Sequence, residues 1–489
     1  MGIDVAKLAT DLETLQHDLP KSMKETAQTT LKDLSDVKDG TIENLREQMD
    51  AAYKARNLTR LAISGIQVDD EKLLQVATDN LTNVESLGIT PALIKNLAEN
   101  IYKTNSLQPG QTVVIGGSRR NIEIIEEIAR LCVNNDINFV IDIVNPEVNA
   151  ILINNSDDEG LKKLAQERYD MHQPVKANLV AFSNPAIDYD AEKITKFRKA
   201  FKSCQEKQGP INAPFSAAML PTKEDAKIDG IEYQKYLRLF FEACNQPWAA
   251  IEKAQAKLIE KLDKGKELKM ITKDGTDLTI GIDGFTFLNS GSDTNIPGSE
   301  IFSAPEKDKI TGTLVSKGNF RLPGSPIIKN ITLKFVKGEI TEAYAEDGQE
   351  ALRKIIATDN GSKFIGEVAF GTNPHLRQHL VNTSLVEKIG GSFHLALGGC
   401  IELPPEGYKG QNPNIDNGNR SAIHWDITTL LKEGEVQLDG KVIQKNGIWV
   451  DENGDPDPDL AVLNYGWEAM PENERPPWWD EKYPDGYTD

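Results

Sequence analysis

The chain has 489 residues, 27% of them charged, with 75 acidic against 55 basic side chains and a formal net charge of −20. That charge argues against nucleic acid or an anionic membrane as partner, and no apolar run is long enough to span a bilayer. The four cysteines, Cys132, Cys204, Cys244 and Cys400, lie far apart with no C-x-x-C, and the N-terminus has no signal-peptide core. A disulfide framework is therefore not expected, and a reducing cytoplasm fits.

The length accommodates two or three domains. Residues 1–84 read as a helical extension: Leu8, Leu12, Leu15 and Leu19 recur at helical spacing, as do Ile42, Leu45, Met49 and Tyr53. An appended helical hairpin packed on the body is the expected role, and a partner-binding arm is the alternative.

Residues 85–267 read as an α/β domain. Thr90-Pro91 is a helix start, with proline at the first helical position. A strand at Thr112–Ile115, a helix from about Asn121 to Val133, and strands at Asn138–Ile141 and Asn178–Phe182 follow. This alternation predicts a parallel sheet. Gly116-Gly117-Ser118-Arg119-Arg120 lacks the G-x-G-x-x-G pattern and reads as a strand-to-helix turn rather than a phosphate cradle.

From about Lys269 the texture changes, and residues 268–450 read as a β-rich α+β domain. Lys273-Asp274-Gly275 and Val336-Lys337-Gly338 read as hairpin turns. Residues 451–489 form a tail with 12 of the acidic side chains and with Trp467, Trp478 and Trp479. A disordered tail is poor in aromatics, so this one is expected to dock on its own body or on a neighbouring subunit.

The β-rich region holds Glu300, Glu367, His394, His424 and Asp426, and four of the six histidines fall between 375 and 424. Side chains i and i+2 of a strand share a face, so His424 and Asp426 can reach one ion. Phe364–Phe370 and Phe393–Gly398 each carry one ionisable group in an apolar strand, which is costly to bury unless paired or metal-bound. A lone buried His or Glu is more often simply hydrogen-bonded, but with five such groups of the type that hold Zn²⁺, Co²⁺ or Mn²⁺ a metal site and a set of hydrogen-bonded core or edge residues stand about level. His375 and His379 have helical spacing but no acid between them, and read as solvated or structural. Cys400 reads as a small buried hydrophobe rather than a soft ligand.

Four stretches resemble the aminopeptidase T/aminopeptidase S metallopeptidases. Asn295–Pro305 is similar to that family's N-x-P-x-x-E-[VI]-F-[TS]-A-P signature. Ile365–Ala369 resembles its G-E-V-A strand, Phe393–Gly398 its H-x-A-x-G segment, and Ile423–Asp426 its H-x-D segment. The likeness covers roughly residues 88–430 and leaves both extensions outside. It implies a homodimeric two-metal enzyme that releases N-terminal residues from peptides. Glu300, Glu367, His394, His424 and Asp426 would be the ligands, one carboxylate bridging two divalent ions, Zn, Co or Mn.

The chain departs from the pattern twice. The family has a tyrosine seven residues after the histidine of H-x-A-x-G, where this chain has Ile401. The family also has an Asp-Glu pair before that histidine. Here Glu387 takes the place of the Asp, as a catalytic carboxylate, and Lys388 stands where the Glu should be. Tyr408 is a candidate replacement for the missing phenol. These departures keep two alternatives open: a catalytically degenerate member with a structural or interaction role, and a mononuclear oxygenase using His394, His424 and Asp426. Retention of Glu300 and Glu367 speaks against the second.

Overall fold

The computed structural model describes residues 5–36, 44–66, 75, 77–172, 175–183, 189–209, 211, 213–291, 294–322, 325–401 and 413–480. Tyr408 and the last nine residues of the tail lie outside them. The chain divides into two compact units, Met1–Glu224 and Asp225–Asp489.

In the first unit, the extension forms helices Val5–Leu15, Lys21–Asp36 and Leu45–Ser64. The third is buried along most of its length. Its Arg56 pairs with Asp142 and, at 3.1 Å, with Glu167. Burial alone would raise the Asp142 carboxyl, but the Arg56 guanidinium holds it well below the usual carboxylate range. The extension, three helices where a hairpin was expected, is thus tied to the body of its own unit by ion pairs as well as by apolar burial.

Helix Pro91–Lys103 begins where the Thr-Pro pair predicts and buries Leu93, Ile94, Leu97, Ala98 and Ile101 along one face. Thr90 takes the extended cap conformation, but its hydroxyl makes no cap bond, so the proline's fixed φ sets the start. The strands β1 (Thr112–Ser118), β2 (Asn138–Val144), β3 (Asn178–Ser183) and β4 (Phe215–Leu220) run parallel in the order β2-β1-β3-β4. Gly116 and Gly117 belong to β1 rather than to a loop. A Cβ at Gly117 would lie 1.9 Å from the Ala181 carbonyl oxygen of β3, so glycine allows the two strands to approach there.

The second unit opens with helices Tyr233–Cys244 and Trp248–Leu262. Strands β5 (Glu267–Thr272), β6 (Asp277–Gly281), β7 (Leu288–Ser290), β8 (Asn295–Ile296), β9 (Glu300–Ser303), β10 (Ile310–Phe320), β11 (Ile328–Val336) and β12 (Glu339–Asp347) follow. After them come β13 (Ile365–Gly371), β14 (Ser392–Gly398), β15 (His424–Leu430), β16 (Gly434–Leu438), β17 (Lys441–Lys445) and β18 (Ile448–Trp449). An antiparallel eight-stranded sheet has the order β12-β11-β10-β6-β5-β16-β17-β18, and a five-stranded one the order β15-β14-β13-β9-β7. Both hairpin turns are present: Gly275 turns β5 into β6, and Lys337 and Gly338, both at positive φ, turn β11 into β12.

The two sheets and helix Trp248–Leu262 share one core, which includes Leu268, Leu278, Phe335, Val368, Phe370, Phe393, Leu395 and Trp449. The tail enters it. Leu460, Val462 and Leu463 belong to this core, and Trp467 Nε1 donates to the Asn245 carbonyl at 2.7 Å. Trp478 is buried and meets Trp479 edge to face. Lys257–Asp459 and Lys261–Asp457 pair at 2.5 and 2.6 Å. As far as residue 480, then, the acidic tail docks on its own unit.

Candidate metal centre

Strand pairing builds the site. Along β14, His394 stands opposite Ala369 of β13 and Ala396 stands opposite both Glu367 of β13 and Asp426 of β15. Glu300 of β9 stands opposite Gly371, and His424 opposite Gly398. Because side chains alternate along a strand, these five groups project from one face of the five-stranded sheet. The opposite face presents Val368, Phe370, Phe393, Leu395, Leu397 and Ile427 to the core.

The five side chains converge in two sets, Glu300–Glu367–His394 and Glu367–His424–Asp426, with the ligating atoms of each set within 4.8 Å of one another. Glu367 is the shared corner. Its Oε1 lies 3.3 Å from His394 Nε2 and its Oε2 lies 3.5 Å from His424 Nε2. His394 Nε2 is also 3.5 Å from Glu300 Oε2 and 3.9 Å from Asp426 Oδ1. His424 donates its Nδ1 proton to the Gly399 carbonyl at 2.7 Å. A carbonyl can only accept, so the neutral ring presents an unprotonated Nε2 to the carboxylates.

Several buried atoms here have no hydrogen-bond partner: Glu300 Oε2, His394 Nδ1 and Asp426 Oδ1. Orphaned carboxylate oxygens facing imidazole nitrogens are what divalent ions satisfy, and the donor set fits Zn²⁺, Co²⁺ or Mn²⁺. The two closely spaced acid/histidine sets amount to a binuclear arrangement of ligands.

Protonation follows from the same crowding. Burial opposes a charge on His394, but Glu367, Asp426 and Glu300 outweigh it and push the ring up to about 9. Burial, then the nearby Glu387 carboxylate, pushes Asp426 up to about 8. Asp426 and Glu367 also raise His424 against its burial. Glu300 is raised by burial despite Lys388. Without metal, bound protons offset part of the cluster's negative charge, and an incoming ion must displace them.

Lys388, from the turn before β14, is fully buried. Its Nζ donates to Glu300 Oε1 and, at 3.0 Å, to Glu387 Oε2. Lys388 and His394 hold Glu387 below its usual range in spite of burial. A small, open cleft lies beside the cluster. Glu387 and Asp426 line one part of it, and Phe320, Leu380, Val381, Val386 and Trp425 supply apolar walls. Arg321 also lines it and pairs with Asp225 at 2.6 Å. Sequence reasoning missed these walls, because nothing in their spacing marks them as neighbours of the ligands.

Ile401 packs beside Leu288, Phe302, Ala369 and Ile415 in a small apolar cluster. Of the residues set aside from sequence, Cys400 is buried and its thiol donates to Asp416 at 3.0 Å, apart from both ligand sets. His375 lies 3.0 Å from Glu242, and His379 meets Phe320 edge to face at 4.7 Å. They are structural rather than solvated. Burial pulls the His379 ring down to about 4.

The solved structure of wild-type AmpT from Thermus thermophilus superposes with a TM-score of 0.58 at 21% identity, over 74% of this chain and 99% of that one. In sequence, aminopeptidase T of Thermus thermophilus is 25% identical over 331 residues, covering 61% of this chain and 76% of the relative. Aminopeptidase AmpS of Bacillus subtilis is 32% identical over 195 residues, and aminopeptidase T of Thermus aquaticus is 28% identical over 195. Each of these two matches spans 36% of this chain and only 47% of the relative. Residues 92–455 match the thermophilic metalloprotease (M29) family, and all five clustered side chains lie within that stretch. With well over half its length matched, and with the carboxylate–imidazole face that a metalloprotease requires, the chain belongs to the thermophilic metalloprotease (M29) family.

Proposed function

We propose that the protein is a metal-dependent aminopeptidase that releases N-terminal residues from peptides by hydrolysis, with two divalent ions, zinc, cobalt or manganese. The observation that carries this reading is the pair of ligand sets sharing Glu367 on one sheet face. Glu300, Glu367 and His394 would hold one ion, and Glu367, His424 and Asp426 the other. When bound, such ions polarise the scissile carbonyl and lower the pKa of the attacking water.

The chain's own groups supply the rest. The apolar walls Phe320, Leu380, Val381, Val386 and Trp425 suit the side chain of the residue being released. The acidic part of the cleft, at Glu387 and Asp426, suits the charged amino terminus of a peptide. Glu387, held ionised by Lys388 and His394, is the carboxylate placed to accept a proton. The Gly399 carbonyl fixes the His424 tautomer. The reading includes a homodimer, by resemblance, and a cytoplasmic location, for which the four widely spaced cysteines without a C-x-x-C pair are the ground. No helix among the described residues is long and apolar enough to cross a membrane.

A second reading, a weakly active or inactive member with a binding role, draws on Ile401 and Lys388. The first packs among apolar side chains and the second places an ammonium in the cluster. Metal content per chain, measured alongside hydrolysis of a panel of aminoacyl reporters, separates the two. Two equivalents with turnover supports the peptidase, metal without turnover supports the second reading, and no metal refutes both.

A further inference from the structure

Lys388 enters the hydrolysis described above only by holding Glu387 ionised, yet it is a fully buried ammonium in direct contact with a proposed ligand, Glu300. Burying an ammonium is unfavourable unless carboxylates surround it, and Glu300 and Glu387 do so. Its position is unequal with respect to the two ligand sets. It touches Glu300 of the Glu300–Glu367–His394 set directly. Among the described contacts it touches no member of the Glu367–His424–Asp426 set, and it reaches that side only through Glu387. Glu300 therefore has one oxygen committed to the ammonium, and its other oxygen, Oε2, faces His394 with no hydrogen-bond partner.

We propose that Lys388 is a built-in cation that makes the two metal positions unequal. The ion held by Glu367, His424 and Asp426 binds first. The ion held by Glu300, Glu367 and His394 binds more weakly, because an ammonium already neutralises part of its carboxylate charge and repels a second cation. A unit charge acting on a divalent one at about 4 Å, even with the permittivity of water, weakens the adjoining position by about 30-fold and the farther one by less, which separates the two affinities by roughly 5-fold or more. The inference rests on the two-metal reading and adds the order in which the positions fill.

The test uses the full-length chain stripped with a chelator and titrated with Mn²⁺, read by calorimetry and by bound metal after equilibrium dialysis. Wild type should fill in two steps whose midpoints differ by at least about 5-fold. In Lys388→Met the weaker step should tighten by at least about 10-fold and the stronger one by clearly less. Lys388→Arg, which keeps the charge, should keep the separation. His424→Ala should abolish the stronger step. Coincident midpoints in wild type overturn the inference, and this arm decides even where Lys388→Met does not fold. A folded Lys388→Met with both midpoints unmoved also overturns it, as does a Lys388→Arg variant that behaves like Met. Absence of any bound Mn²⁺ in wild type overturns the metal reading itself, and the inference with it.

Discussion

Glu367 is the single side chain common to both ligand sets, and its two oxygens are divided between them, one toward His394 at 3.3 Å and one toward His424 at 3.5 Å. Replacing it by glutamine keeps the shape but removes a negative charge from each set at once. One unit charge acting on a divalent ion at about 4 Å, with an effective permittivity between those of a protein surface and of water, is worth roughly 2–8 kcal/mol. Desolvation and relaxation return part of this, so a loss of at least about 30-fold in affinity at each position is a conservative floor. His424 belongs to one set only. At a free Mn²⁺ concentration just sufficient to fill both positions of the wild type, Glu367→Gln should therefore lose most of both ions, whereas His424→Ala should lose one and leave Glu300–Glu367–His394 able to hold the other. Metal per chain after dialysis against a fixed free-ion concentration reads both variants. Far-ultraviolet circular dichroism checks that the sheet persists. If the two variants lost the same amount of metal, or if Glu367→Gln kept both ions, the shared-corner geometry would be the wrong account of binding.

Three further outcomes follow. With Ile401 packed in an apolar cluster rather than offering a phenol, turnover should fall below that of an otherwise complete site by roughly 10²–10³, the cost of one lost oxyanion donor; ordinary peptidase rates in wild type would refute this. His379 has a folded pKa near 4 against about 6.5 unfolded, so below pH 6.5 the unfolded chain takes up a proton that the folded chain refuses. Up to about 3 kcal/mol of stability should then drain away between pH 6.5 and 4, and urea melts of His379→Leu should be flatter over that window. Leu463 of the tail is 1% exposed within the core of the second unit, so Leu463→Ala should lower its unfolding free energy by about 2–5 kcal/mol, and an unchanged denaturant midpoint would mean that the tail is not part of that core.

Local chemistry made much of the fold legible. The Thr-Pro start, the alternation of short apolar runs with helical periodicity, and the Gly-containing turns at 273–275 and 336–338 each depend on residues within a few positions of one another. What was not legible depends on pairing across the chain. Strand β5 pairs with β16 more than 160 residues later, Lys269 opposite Gln437, and neither strand carries a mark of the other. Helix Trp248–Leu262 shows an apolar face in its sequence, but that face does not say which sheet will cover it. The tail was legible in outline, since three tryptophans in an acidic segment are costly to leave in water. The aliphatic anchors Leu460, Val462 and Leu463 were not, because a short apolar run looks the same in a loop as in a core.

The site divides along the same line. His424 and Asp426 share a face by the two-residue period alone, but bringing Glu300, Glu367 and His394 to that face requires a register, and a slip by one residue in any strand would turn its ligand into the apolar core. Resemblance supplied the ligand set where periodicity could not. Lys388 escaped both routes. From sequence it is a missing acid, a gap in the acid/base equipment. In three dimensions it is an added cation, with its ammonium on Glu300 and Glu387. Exchanging a carboxylate for an ammonium changes the local charge by two units, and a buried cluster has little water to absorb that change. The consequence falls less on the fold, where Lys388 is itself paired with Glu300 and Glu387, than on how many further cations the cluster will accept and in what order.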